Sequence, residues 1–258
     1  MTRQAKQAEW AAQWSFFYDD RADLFLDWIH PFTLEDFAGK SVLDAGCGPG
    51  HHINLVAPRA RRVVGVDLNT AESANQNTRA HPHVAILEDD IAAMRLGETF
   101  DLVYSIGVVH HTDDPSATVR NLEAQVRPGG HLILWVYSHE GNFLSRTLVE
   151  ACKRHALRRL PRPALLLLAR ALTAALYPPV HTLYRLPLRW LPYHAYFANF
   201  RRLPFRRNLL NVFDKLNAPQ TAFLRRAEVE TWFPPDRFAD VHISPYRGVS
   251  WRASGRKR

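Results

Sequence analysis

The chain has 258 residues, 47% of them hydrophobic, and carries 33 Lys or Arg against 25 Asp or Glu, a net charge of +8. That is enough apolar mass for one full α/β domain with an added subdomain. Two cysteines, Cys47 and Cys152, exclude a disulfide framework and lead us to expect a reducing compartment. The first thirty residues hold Arg3, Lys6, Asp19, Asp20 and Asp23 with no uncharged apolar core of signal-peptide length, and no run reaches the length of a membrane span. The expected location is therefore the cytoplasm.

The basic charge is local. Residues 151–213 hold twelve Lys or Arg and no acidic residue, leaving 21 basic against 25 acidic residues elsewhere. Taken from the N-terminus, residues 4–20 predict a helix, with Trp10, Trp14, Phe17 and Tyr18 on one apolar face. A second short helix over 23–29 ends before Pro31. Residues 1–39 thus read as a helical cap, either packed on a sheet edge or flapping over a ligand site with Phe17 or Tyr18 in contact.

The next stretch, Val42-Leu43-Asp44-Ala45-Gly46-Cys47-Gly48-Pro49-Gly50-His51-His52, reads as a buried strand over 41–45, a glycine-rich turn and the start of a helix. Gly46, Gly48 and Gly50 permit positive φ and let a ligand lie against bare backbone, Cys47 included. N–H groups opening the helix suit an anionic group, so a nucleotide-type ligand is expected. A dinucleotide fingerprint is G-x-G-x-x-G. Here a carboxylate, Asp44, precedes the glycines. It would repel a pyrophosphate and suits a ligand with its own ammonium, as S-adenosylmethionine (SAM) has. The second strand ends in Asp67, placed to accept from two ribose hydroxyls, or more plainly to cap the helix after it.

Residues 42–52 together with 64–67 resemble motifs I and II of the class I SAM-dependent methyltransferases. The pattern continues as alternating strands and helices, which argues a parallel sheet. A helix over 50–57 stops at Pro58, another spans about 70–79, and a strand over 84–87 leads to Glu88-Asp89-Asp90-Ile91. A strand over 100–105 precedes a helix over 115–126, with Asp113 or Asp114 near its cap and Pro115 in its first turn. A turn over 127–130 leads to a fifth strand over 131–137. Phe100-Asp101-Leu102-Val103-Tyr104-Ser105, Val108-Val109-His110-His111 and Arg127-Pro128-Gly129-Gly130 extend the resemblance over about residues 40–138. It is nearest the subgroup that includes ubiquinone, menaquinone and many small-molecule methyltransferases, which is functionally mixed.

The resemblance implies a Rossmann-like, doubly wound, seven-stranded, mostly parallel sheet with an antiparallel last strand. It implies Leu68 against adenine, Asp90 (or its neighbour Asp89) accepting from the adenine amine, and Ile91 flanking the ring. Ser105, Ile106 and Gly107 would hold the methionine ammonium with Asp44. Family members that modify nucleobases carry Asn/Asp-Pro-Pro-Tyr/Phe after strand four; Ser105-Ile106-Gly107-Val108 stands here, which counts against N-methylation of a base. His111 is the candidate general base, with local packing as the plain alternative, as for His110. His51 and His52 read as surface or supporting residues. No metal is expected: the thirteen His are dispersed and no Cys/His ligand spacing occurs.

After residue 138 the alternation stops. Residues 139–217 form an insertion rich in Leu, Arg, Pro and aromatics, and seven prolines between Pro161 and Pro204 argue against a long unbroken helix. Leu168, Leu172 and Leu176 predict one amphipathic helix over 164–176. Arg158, Arg159, Arg162 and Arg170 lie around it, and Tyr177, Tyr184, Trp190, Tyr193, Tyr196 and Phe197 follow, mixed with Arg185 and Arg189. Two readings stand: a substrate lid, or an element lying on an anionic membrane surface at the inner face. Residues 218–258 add a helix over 227–233 and two strands, 238–244 and 248–253, that complete the sheet. The expected function is SAM-dependent methyl transfer to a small or lipid-like acceptor, at oxygen or carbon. The rivals are an RNA methyltransferase using the basic insertion, and a SAM-binding interaction protein without catalysis. Nucleic acid is the less favoured partner, because the basic residues are mixed with leucines.

Overall fold

The computed structural model describes residues 21–258. The expected helix over 4–20, with Phe17 and Tyr18, lies outside them. The described residues divide into two compact units: one gathers residues 21–137 with Gln220–Ser244 and Trp251–Arg258, the other Ser138–Pro219 with Pro245–Ser250.

The first unit opens with α1 (Ala22–Ile29), which buries Leu24, Phe25, Trp28 and Ile29 on one face. It ends at His30 because Pro31 disfavours helical geometry in the residue before it. Strands β1 (Ser41–Ala45), β2 (Arg62–Asp67), β3 (Val84–Glu88) and β4 (Phe100–Ile106) alternate with α2 (His51–Val56) and α3 (Ala71–Thr78). Then come α4 (Pro115–Gln125), β5 (Val126–Tyr137), α9 (Arg226–Glu230), β6 (Phe238–Tyr246) and β7 (Ser250–Lys257), with α5 to α8 lying in the other unit.

The seven strands run in the order β3-β2-β1-β4-β5-β7-β6, with β7 antiparallel. β1 pairs in parallel with both β2 and β4. Every residue of β1 and of β4 is buried, which is why both read as nearly continuous apolar runs. The order reverses between β1 and β4, so a crevice opens beyond their carboxyl ends. Leu43, Val64, Val103, Leu132 and Trp232 belong to the core cluster of this unit.

One detail differs from expectation and one agrees with it. β5 starts at Val126, not His131: the pairing steps from Phe100↔Val126 to Leu102↔His131, so the expected turn over 127–130 is an outward loop within the strand. Asp114 caps α4, its carboxylate accepting from Ala117 N at 2.9 Å.

The second unit is helical: α5 (Glu150–His155), α6 (Arg162–His181), α7 (His194–Phe200) and α8 (Phe205–Asn217). α6 corrects the proline argument, for it runs unbroken through 20 residues. Pro161 is its N-cap and Pro163 lies in its first turn, where N–H groups have no helical partner in any case. Pro178 and Pro179 fall near its C-terminus, so only two donors are lost, and Thr182 closes the end with its N–H and hydroxyl on the Pro178 carbonyl at 3.0 and 2.7 Å. By length and composition α6 could also cross a bilayer, which overturns the expectation that no run is long enough.

The helix expected over 164–176 lies within α6, whose buried residues are Leu165, Ala169, Thr173 and Val180, and α6 packs against α8. Small residues allow the helices to approach closely. The Thr173 hydroxyl is satisfied by donating to the Ala169 carbonyl at 2.7 Å. Leu172 is left exposed. In α8, Asn208 is buried and donates to the carbonyl of Phe200 at 2.9 Å and to that of Leu203 at 3.3 Å.

Candidate active site

The predicted ligand loop is built from the backbone outward. Gly46 and Cys47 N–H groups both donate to the Val66 carbonyl, at 2.8 and 3.0 Å, which folds the turn back over β2. Gly46 has φ +86°, and a Cβ there would stand 2.5 Å from the Val108 side chain. Gly48 has φ +52°, and a Cβ there would meet nothing within 4 Å, so this stretch of backbone faces open space. Side chains from the following helix pin the loop: the Thr70 hydroxyl donates to Gly48 O at 2.7 Å and Asn77 Nδ2 to Pro49 O at 2.9 Å.

Asp67 ends β2 and accepts from Gly48 N at 3.0 Å and from Asn69 N at 3.2 Å. It therefore does not cap α3, whose N-cap is Thr70. The residue stays half-buried at the sheet edge, its carboxylate with lone pairs to spare. Leu68, beside it, is half-buried.

Asp44 is buried, at 1% exposure, and accepts from the Tyr104 hydroxyl at 2.8 Å. Burial pushes its carboxyl up to about 8, against the pull of that hydrogen bond, with the Asp67 charge adding to the rise. Burial and Asp44 hold the Tyr104 phenol well above its ordinary range. Cys47 is likewise pushed up by burial, so its thiol is no nucleophile.

Asp89 and Asp90 follow β3. Asp89 N donates to Asp67 O at 3.2 Å, which brings the two strand ends together. Asp90 Oδ1 accepts from Ala92 N at 2.9 Å, and Ile91 is buried behind it. Ser105 serves the scaffold: its hydroxyl donates to Ala45 O at 2.7 Å and ties β4 to β1. Ile106 is buried, and Gly107, at φ +80°, lies against the Trp135 ring.

Beyond Gly107, a 3-10 turn over Val109–His111 places two imidazoles side by side, 4.1 Å between centroids. His111 Nδ1 lies 2.6 Å from the Gln220 carbonyl. A carbonyl only accepts, so Nδ1 carries the proton and Nε2 is the basic nitrogen of the neutral ring. His110 is fully buried, 4.3 Å from the Tyr137 ring, and its carbonyl accepts from Ala222 N at 2.7 Å. Trp135, Tyr137 and Phe223 continue an aromatic wall, with Trp135 to Tyr137 at 5.4 Å and Tyr137 stacked on Phe223 at 6.3 Å. Trp135 Nε1 is buried and has no hydrogen-bond partner among the described residues. His52 stacks on Phe25 at 4.7 Å and His51 is buried, so of the two readings, surface or supporting, the pair fits the supporting one.

Asp44, Gly46, Gly48, Asp67, Asp89 and Gly107 thus stand at or just past the carboxyl ends of β1 to β4. Tyr104, Thr70, Asn77, Val108 and the Trp135–Tyr137–Phe223 wall were not foreseen. Tyr104 becomes visible only once β1 and β4 are paired, because Asp44 and Tyr104 are register partners. An open glycine backbone, a carboxylate at the end of β2 and a buried carboxyl beside the turn fit a nucleoside carrying a cationic amino-acid tail. Among the described residues no group of three His, Cys, Asp or Glu gathers around one point.

A family profile described as "Methyltransferase domain" matches residues 17–217. Among curated relatives, the chain is 31% identical over 156 residues to the tRNA U34 carboxymethyltransferase of Pseudoalteromonas translucida (strain TAC 125), covering 58% of this chain and 44% of that protein. It is 37% identical over 94 residues to a protein of Mycolicibacterium smegmatis named as a probable S-adenosylmethionine-dependent methyltransferase, 36% of either chain. The aligned stretch spans less than half the length of these relatives. Among solved structures, an O-methyltransferase family protein from Burkholderia thailandensis aligns with TM-score 0.55 at 13% identity, over 98% of this chain and 60% of that one. The CurJ carbon methyltransferase aligns with TM-score 0.50 at 11% identity, over 86% and 49%. These two share the fold.

Proposed function

The chain belongs to the methyltransferase-domain family, and from that premise we propose that it transfers the methyl group of SAM to an oxygen or carbon of a small or lipid-like acceptor. The observation that carries the acceptor class is the aromatic wall past Gly107, with the buried, unpartnered Trp135 Nε1–H within it. Aromatic faces favour a flat apolar acceptor, and a buried donor without a partner is costly until an acceptor oxygen meets it.

Asp67 accepts from the ribose hydroxyls while it holds the Gly48 N–H, so the loop and the sugar are fixed by one carboxylate. Gly48 gives its open backbone to the amino-acid tail, whose positive charge draws Asp44 toward its ionised form. Asp90 and Ile91 flank the adenine, and the carbonyls of Ser105, Ile106 and Gly107 receive the ammonium. SAM supplies, when bound, a methyl group on a sulfonium that is already a strong electrophile. What remains for the chain is to align the acceptor and exclude water, which accounts for much of the acceleration in such transfers. Where the acceptor is a hydroxyl, His111 takes its proton on Nε2, with Gln220 holding the ring at Nδ1.

A second reading, an RNA acceptor, draws support from the relatives named as tRNA U34 carboxymethyltransferases and from the basic segment over 151–213. Incubation of the protein and methyl-labelled SAM with fractionated lysate separates them. Label in the organic-soluble or small-molecule fraction upholds the first reading. Label in RNA alone replaces it with the second.

A further inference from the structure

The helical unit formed by Ser138–Pro219 and Pro245–Ser250 carries ten of the twelve exposed large apolar side chains among the described residues. They include Trp190 at 77% exposure, Leu167 at 68%, Phe143 at 64%, Leu148 at 60% and Leu186 at 51%. Scattered single apolar residues are ordinary on a surface, but this concentration in one unit is not. Only 22% of the apolar window of α6 is buried. Its inner face, Leu165, Ala169 and Thr173, packs on α8, so the helix is not free to leave its unit and insert across a bilayer. Its outer side carries Leu167, Ala171 and Ala174, all exposed, with Arg170 among them.

The charge on the same unit has one sign. Residues 151–213 contain no acidic side chain, and Arg154, Arg159, Arg170, Arg185, Arg189, Arg202 and Arg206 are exposed. Leu186 and Trp190 each follow an arginine, Arg185 and Arg189, on a single short stretch, and all four are exposed. Arginine stems lie along apolar surface while their heads meet phosphate, and exposed tryptophan favours the interfacial zone of a bilayer. A solvated lid has no use for exposed leucines at this density. An RNA-binding face would use the arginines and leave the leucines unexplained.

We propose that this unit docks on an anionic lipid surface, lying in the interface with Leu167, Leu186 and Trp190 among the acyl chains and the arginines on the headgroup phosphates. The contact is peripheral and does not span. It stands independently of which acceptor is methylated.

Flotation of the full chain with phosphatidylcholine vesicles, with and without about a third phosphatidylglycerol, tests it. The protein should float with the anionic vesicles at about 0.1 M salt, with partitioning about tenfold or more lower at about 1 M. The triple variant Leu167→Ser, Leu186→Ser, Trp190→Ser alters exposed positions only. It should lose about tenfold in partitioning while its circular dichroism and SAM binding match the parent. A second variant, Arg185→Gln with Arg189→Gln, should weaken binding to the anionic vesicles and flatten its salt dependence. Absence of flotation with the anionic vesicles at about 0.1 M salt overturns the proposal, as does equal flotation with neutral vesicles. Tight RNA binding, or a concentration-dependent dimer, without vesicle binding also overturns it.

Discussion

Asp67 already accepts from Gly48 N and Asn69 N, so the ligand role proposed for it would come on top of its hold on the loop. Asp67→Ala should weaken SAM binding by about 1–3 kcal/mol, the cost of a charged acceptor lost from a partly buried site, read by calorimetry. Asp44 behaves differently. With its carboxyl pushed up to about 8, it keeps its proton at neutral pH, whereas a cationic ligand group selects the carboxylate. SAM binding at pH 7 should therefore release about one proton and tighten as the pH rises toward 8, levelling off above; titrations in buffers of different ionisation enthalpy would reveal the release. For stability the sign is opposite. The folded chain binds a proton that the unfolded chain gives up, so this group favours the fold at low pH and that contribution is lost as pH climbs to about 8. His111→Asn should lower turnover by about a hundredfold with SAM affinity unchanged, and should remove the limb of the pH–rate profile that reports the imidazole. Unchanged turnover would return His111 to packing. At this scale the turn after β1 was legible, because the positive φ of Gly46 and Gly48 is announced by their local spacing. Tyr104 was not, because it meets Asp44 from 60 positions away and nothing near it in the chain announces that partner.

Among the elements, α6 is where local rules misled. Counting prolines treats them all as breakers, yet Pro161 and Pro163 open the helix and Pro178 and Pro179 come near its end. Its leucine spacing marked the helix but not the face that meets α8, which is the one with Ala169 and Thr173. Periodicity finds a helix; it does not say which of two faces meets a partner when both are apolar. Ala169→Leu should consequently destabilise this unit by about 1–3 kcal/mol through overpacking, read as a lower urea midpoint, whereas Leu167→Ala on the outer side should change it by no more than about 0.5 kcal/mol. The strands were far more legible. β1 and β4 are buried throughout, and a central parallel strand announces itself as a short apolar run between turns.

For the molecule as a whole, the two units divide the chemistry of the sequence between them. The sheet unit holds the ligand loop, and the helical unit holds the one-sided charge. The switch in character near residue 138 was plain in composition, because a parallel sheet and a basic helical insertion draw on different residues. The return of Pro245–Ser250 to the helical unit was not, since a short turn joining two strands carries no such signal. The two cysteines are divided in the same way. Cys47 is buried within the glycine turn with its thiol pushed up, while Cys152 is exposed on α5. A maleimide at neutral pH should therefore couple at one position only, and mass spectrometry of the digest should find the adduct at Cys152. The native chain thus already accepts a single fluorophore or spin label on its helical unit, and a reporter there could follow that unit's surroundings while the glycine turn after β1 is left chemically untouched.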